Sequence, residues 1–355
     1  MKKISILLII MILFVSLTGC GEKVNITETK AKTVETELYE CDDFSIKIPK
    51  GWKVTTGGIN IDHSIRIYDP EEPLNQMFIL LKAEILLHSQ AAKAAWQYNA
   101  NSGNYSANIL AAAPVLENPS TENFYKIFNE YADFATAYDV TYSGYEFPKF
   151  NNFTVVDRFP ANSGLKNYAI NDELLRATFT DSTGKEGEGL FTASVVDFGS
   201  MQIAAGPAQY YVIPSTDGGY YMAYNVIAIT AVKDTFIEWE ALLTECMNSL
   251  KYSDSFVGAT NQASNEKVAL ANQISQNFNE IMNGIMSSWE SRSAAYDIMS
   301  QKQSDATLGY ERIYNTETNE VYRVPNGWSD EHESKKYQPV TDDNMYTLPI
   351  SGYID

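Results

Sequence analysis

Phe44-Ser45-Ile46-Lys47-Ile48-Pro49-Lys50-Gly51-Trp52 alternates apolar and polar side chains over its first five positions, stops at Pro49, turns at Gly51 and ends on a large aromatic ring. A period of two marks a strand with one buried face. Pro then Gly ends it, because Pro lacks a ladder donor and Gly accepts turn dihedrals. Outward from this strand, 64–68 and 77–87 read as further strands, parted by a Pro70–Pro73 turn. Ser89 caps a helix over 89–98. Ser120 or Thr121 opens a second one reaching about Tyr138, with Phe124, Ile127, Phe128, Tyr131 and Phe134 on one face. Strands are expected at 153–156, 175–180 and 190–196, the last two joined by Asp181-Ser182-Thr183-Gly184. A hairpin is expected between 210–213 and 220–232, and a helix over 235–250 closes the unit. Strands with helices at irregular intervals predict an α+β fold, an antiparallel sheet covered by helices, rather than a regular βαβ sheet.

The 44–52 run resembles the opening strand of PsbP-like and Mog1-like domains, written F-x-I-x-x-P-x-G-W, and Cys246-Met247-Asn248-Ser249-Leu250 is similar to the end of that group's final helix. The resemblance implies the same helix-covered antiparallel sheet, in a group whose members are mostly noncatalytic binding or assembly factors. Fold alone does not fix function.

The α+β domain is placed at 39–253, followed by a small, polar linker at 254–264. The segment 265–355 reads as a long amphipathic helix to about Lys302, a hairpin of 310–314 with 320–324, and an aperiodic tail. This is too little for a core of its own, so the segment is expected to pack on the main domain or a partner. Val324-Pro325-Asn326-Gly327-Trp328 echoes Ile48-Pro49-Lys50-Gly51-Trp52, which shared turn chemistry accounts for.

The first residues follow the layout of an export signal: Lys2 and Lys3, then an apolar stretch to Leu17 that is too short to cross a bilayer, which takes about 20 residues. Leu17-Thr18-Gly19-Cys20 resembles the lipobox of bacterial lipoproteins. That resemblance implies removal of 1–19 and a diacylglyceryl group on the Cys20 sulfur. The expected location is the extracytoplasmic face of the cell membrane, with the lipid bilayer as partner. Residues 20–38 are polar and unpatterned and read as a flexible tether. Cys41 and Cys246 remain as a candidate disulfide, with two separate thiols the alternative.

Loss of Lys2 and Lys3 with the leader takes the net charge from −19 to −21. Such a balance excludes nucleic acid and any electrostatic contact with anionic lipid. The three histidines, His63, His88 and His332, have no metal-ligand spacing, and no cofactor motif occurs, so neither metal nor cofactor is expected. Ser182-Thr183-Gly184-Lys185 and Ser264-Asn265-Glu266-Lys267 match a bare S-x-x-K, but the first lies in a turn and neither has a K-T-G partner. Ser264 is expected to be a plain N-cap. The acid pairs Glu186/Glu188 and Glu238/Glu240 are what chance supplies among 45 acids. Trp52, Trp328, Tyr220 and Tyr221 are candidates for an aromatic surface against a protein or glycan. The expected function is a noncatalytic, membrane-anchored binding or assembly module. The alternatives are an envelope hydrolase acting on glycan or peptide and a transporter-associated solute receptor.

Overall fold

The structure, a computed structural model, describes residues 28–30, 32–160, 165–208, 212–265, 304–342, 345–346 and 348–355. The export signal, Cys20, Tyr210, Tyr211 and the long helix expected after 265 lie outside these residues. Elements follow in chain order: β1 (Glu28–Lys30), β2 (Thr36–Glu40), β3 (Phe44–Pro49), β4 (Lys53–Gly57), β5 (Ser64–Tyr68), β6 (Gln76–Leu87), α1 (Gln90–Asn101), α2 (Asn108–Ala112) and α3 (Thr121–Tyr138). Next come β7 (Asn151–Pro160), β8 (Ala169–Thr180), β9 (Glu186–Asp197), β10 (Gln202–Ala204), β11 (Ser215–Asp217), β12 (Tyr220–Val232), α4 (Phe236–Asn248), β13 (Lys251–Tyr252) and α5 (Asp254–Asn265). The C-terminal part holds β14 (Tyr310–Asn315), β15 (Val321–Pro325), α6 (Trp328–Glu331), β16 (Tyr337–Pro339) and β17 (Ile350–Ile354). The fold is α+β, with antiparallel sheets covered by helices, one parallel pair (β15 with β17) in the C-terminal sheet, and no closed barrel among the described residues.

The centre is an antiparallel sheet ordered β4-β5-β6-β12-β9-β8-β7. Both faces are covered, so β6 and β12 are apolar on both sides. Met77, Ile79 and Leu81 enter one core, while Phe78 and Leu80 enter the other. On β12 an extra residue relative to β9 falls between Tyr224 and Ile227, with Asn225 at φ +52°. This bulge reverses the alternation. Met222 and Tyr224 share a core with Ile227 and Ile229, although the two pairs differ in parity. The Tyr125 hydroxyl of α3 lies 2.8 Å from the Ile227 carbonyl and 3.1 Å from that of Thr192, capping the ladder where the bulge interrupts it.

α1 and α3 cover one face, each capped as expected: Ser89 Oγ accepts from Ala92 N–H and Ser120 Oγ from Asn123 N–H, both at 3.1 Å. Phe124, Phe128, Tyr131 and Phe134 are buried as expected, but so is Tyr125, while Ile127 is only half-buried. On the other face, Trp239, Leu243, Cys246 and Met247 of α4 recur at helical spacing against Phe44, Ile46 and Ile48 of β3. β3 is the middle strand of a small sheet ordered β13-β3-β2.

The hairpin of β14 and β15 forms as expected. It belongs to a five-stranded sheet ordered β1-β17-β15-β14-β16, with its own buried cluster of Ile313, Tyr322, Val324, Trp328, Tyr337 and Ile354. The described C-terminal residues pack on α4 through β17. Gly51 and Gly327 both sit at positive φ, +85° and +88°, so the repeated Pro-x-Gly-Trp is one turn used twice.

Four boundaries depart from the sequence reading. Within the 20–38 tether, 28–30 and 36–38 are strand, held by backbone bonds that leave no mark on side-chain pattern. The 254–264 linker is helical: Ser253 Oγ accepts from Phe256 N–H at 3.2 Å, and Phe256 is buried beside the Tyr252 and His63 rings. Ser264 therefore lies in the last turn of a helix instead of capping one. Ser215–Asp217 is a strand paired with β10, where a turn was expected.

Candidate functional site

The expected aromatic surface does not form. Trp52 is buried on Trp239, centroids 5.4 Å apart, and Trp328 is buried in the C-terminal sheet. Tyr220 is half-buried and stacks on Phe198 at 5.3 Å, whereas Tyr221 lies on His88 at 4.1 Å. Each aromatic is spent on its own local packing. Nor is there a disulfide: Cys41 and Cys246 are both free, the first exposed in the turn after β2, the second inside the core. Burial pushes the Cys246 thiol up to about 11, which makes it inert.

The structure instead brings together charged residues that share no motif. A cleft of about 450 Å³ opens between the β7–β8 edge of the central sheet, α4 and the C-terminal sheet. Arg176 of β8, Arg312 of β14 and Arg323 of β15 all line it. Arg176 Nε donates to Glu188 Oε1 at 2.6 Å. Arg312 Nε donates to Asp305 Oδ2 at 2.6 Å, and Arg323 Nη2 lies 2.7 Å from Asp305 Oδ1. Arg312 and Arg323 stand directly opposite each other in the β14–β15 register. Like charges so placed repel; Asp305, one oxygen to each, is what makes the pairing tolerable.

Arg176 and Arg312 act on Arg323 as like charges, Asp305 and Glu188 oppose them, and Asp157, Glu240 and Glu245 also line the cleft. Burial, followed by Arg176, brings Arg323 down to about 10, with Asp305 opposing. Arg176 is buried too, but Glu188 and Asp305 outweigh that burial and hold it above its ordinary value. Arg323 is only 2% exposed, and among the described residues neither its Nε nor the buried Ser304 Oγ beside the cleft has a hydrogen-bond partner. Buried polar atoms are almost always satisfied, so these two set the cleft apart from the rest of the interior. Glu188, whose spacing from Glu186 is what chance supplies, is thus committed to Arg176, while Glu186 pairs with Lys233 at 3.2 Å.

Two other charged clusters are structural in form. Lys82, in the middle of β6, is buried between Asp62 at 3.1 Å and Glu84. Burial raises the Asp62 carboxyl; it would lower Lys82, but the two carboxylates hold that amine above its usual range. His88 bridges Asp217 at 2.8 Å through Nδ1 and Asp197 at 3.2 Å through Nε2, pinning the β10–β11 hairpin to the end of β6. The hydrogen bond with His88, aided by Gly219 and Met201 N–H, pulls Asp217 down to about 2. A depressed carboxylate contributes stability above its unfolded value, near 3.9, which is lost as pH falls through about 2. In a carboxyl-carbon NMR titration Asp217 should therefore have its midpoint near 2, and His88→Ala should move it back toward the ordinary range. A wild-type midpoint near 4 would show that the clamp is not formed.

Among the described residues no group of three or more His, Cys, Asp or Glu is placed to hold a metal ion. No family model matches the chain, and no curated protein matches it either.

Proposed function

We propose that this protein is a lipid-anchored, noncatalytic binding module on the extracytoplasmic face of the membrane, with the arginine-lined cleft as its ligand site. The observation that carries the reading is a cleft of about 450 Å³ lined by Arg176, Arg312 and Arg323, where Arg323 Nε and Ser304 Oγ are buried without a hydrogen-bond partner among the described residues. That size suits a small molecule. The arginines are held by carboxylates and by packing, an arrangement suited to holding charge in place rather than to moving protons.

Anchorage through Cys20 is supported by the lipobox-like Leu17-Thr18-Gly19-Cys20. No helix of the described residues is long and apolar enough to cross a membrane. β1 follows Cys20 closely, and an extended chain reaches at most ~3.6 Å per residue, so the C-terminal sheet would sit within about 30 Å of the lipid. Two acyl chains make such attachment firm. The placement of the cleft between two sheets also fits a solute receptor that hands its ligand to a transporter.

Cys20→Ser should abolish labelling by radioactive palmitate and move the protein out of the membrane fraction or leave it with its leader uncut. A Cys20→Ser protein that is cleaved and still membrane-bound would overturn the anchor.

A further inference from the structure

We infer that His63 is a proton-operated latch for α5: charging its imidazole, as the surroundings turn mildly acidic, releases the start of α5 from the main domain. The inference stands apart from the cleft and rests on how the ring is enclosed.

His63 follows the short turn of Asn60–Asp62 and is 3% exposed. Three aromatic rings enclose it: Phe256 at 5.1 Å, Phe44 at 6.0 Å and Tyr252 at 6.2 Å. Its Nδ1 is buried with no hydrogen-bond partner among the described residues. A neutral imidazole can leave one nitrogen unpaired at small cost. The imidazolium carries a charge and two N–H donors, and an apolar box offers them nothing. The charged groups nearby do not remove that cost. Asp43, exposed just before β3, favours the charged form, yet burial outweighs it and holds the imidazole below its ordinary value. Asp62 and, on β6, Glu84 are both turned onto Lys82. Burial keeps the Tyr252 hydroxyl of β13 neutral, and Lys251 of β13 and Asp254 of α5 are exposed. Of the three walls, the one from α5 is the least held. Phe44 and Tyr252 stand opposite each other in the β3–β13 pairing. Phe256 comes from a helix that, over 254–260, buries Phe256 and Thr260 alone. Ser253 fixes its start: the backbone N–H donates to the Asp43 carbonyl and the hydroxyl to the Asp42 carbonyl, both at 2.8 Å. The helix can therefore swing away about Ser253 and let water reach the ring. Because the folded value is depressed, the stability from neutral His63 is complete above the unfolded value, about 6.5, and is lost as pH falls below it.

Hydrogen exchange read by mass spectrometry on the detergent-solubilised full chain tests this, at about pH 7.5 and about pH 5 with intrinsic rates corrected. On acidification, protection over 254–260 should fall roughly tenfold relative to that of β12. His63→Phe keeps an aromatic ring and cannot titrate, so its protection over 254–260 relative to β12 should be the same at both values. Circular dichroism checks that it is folded, and His63→Gln, which cannot charge either, replaces it if the larger ring disturbs the fold. A wild type whose protection over 254–260 does not fall would overturn the inference. So would a fall that persists in the folded variant, since the proton would then act elsewhere. A fall shared equally by β12 would also overturn it, because the whole domain would be opening instead of α5 leaving.

Discussion

Asp305→Ala should destabilise the protein by about 3–5 kcal/mol, the range for removing one partner of a buried ion pair. The carboxylate is buried and contacts both Arg312 and Arg323, and these two stand opposite each other on neighbouring strands. Without it, two buried guanidiniums face each other with nothing between them. The loss should fall on the C-terminal sheet, because Asp305 precedes β14 and joins it to β15. Urea unfolding followed by circular dichroism measures the cost, and hydrogen exchange across 310–325 locates it. Asp305→Asn keeps the shape and loses the charge, so it should fall between wild type and alanine. Replacing Asp305, Arg312 and Arg323 together by apolar residues of similar volume should be close to neutral, since the one buried pair left in the cluster, Arg176 with Glu188, is matched. A change below about 1 kcal/mol for Asp305→Ala would mean that the arginines are solvated, contrary to their burial.

Phe191→Ala should cost about 3–5 kcal/mol, the range for emptying a well-packed aromatic site. Phe191 is fully buried on β9, under α3. Its ring meets those of Tyr125 and Phe153 at 4.9 Å, Phe150 at 5.2 Å and Phe179 at 5.8 Å, in each case near edge-on. Edge-to-face contacts add to the area buried, and four rings around one position cannot collapse into the space it leaves. Leucine there should recover part of the loss. Thermal unfolding of the two variants gives the comparison, and equal midpoints for Phe191→Ala and wild type would contradict the packing described.

The parts of this fold that were legible in the sequence are those whose signal is local. Ser89 and Ser120 announce their helices through caps, and Asp181-Ser182-Thr183-Gly184 announces its hairpin through turn chemistry. The 44–52 run announces a strand through alternation. β1 and β2 were missed because they are held by backbone pairing with β17 and β3, and exposed side chains such as Leu38 carry no trace of it. The parity reversal at Asn225 depends on Tyr125, from a distant helix, finding the freed carbonyls.

The candidate site was missed for the same reason. Arg176, Glu188, Asp305, Arg312 and Arg323 meet only after β8 and β9 are brought against β14 and β15, and no spacing in the chain foretells that. One signal was present. Val321-Tyr322-Arg323-Val324 and Met77-Phe78-Ile79-Leu80-Leu81-Lys82 each set a cation inside an apolar strand. A charge in such a place must be paired or used. Lys82 proves to be paired by two carboxylates, while Arg323 is paired at Nη2 and, among the described residues, has no partner at Nε.

A crystal structure of the mature chain purified from its own cells tests the ligand-binding role of the cleft most directly. The expected result is density for a co-purified small molecule in the cleft, against α4 and the wall formed by Phe159 and Ile350. A cleft filled by side chains of this chain, or by solvent alone, would contradict it.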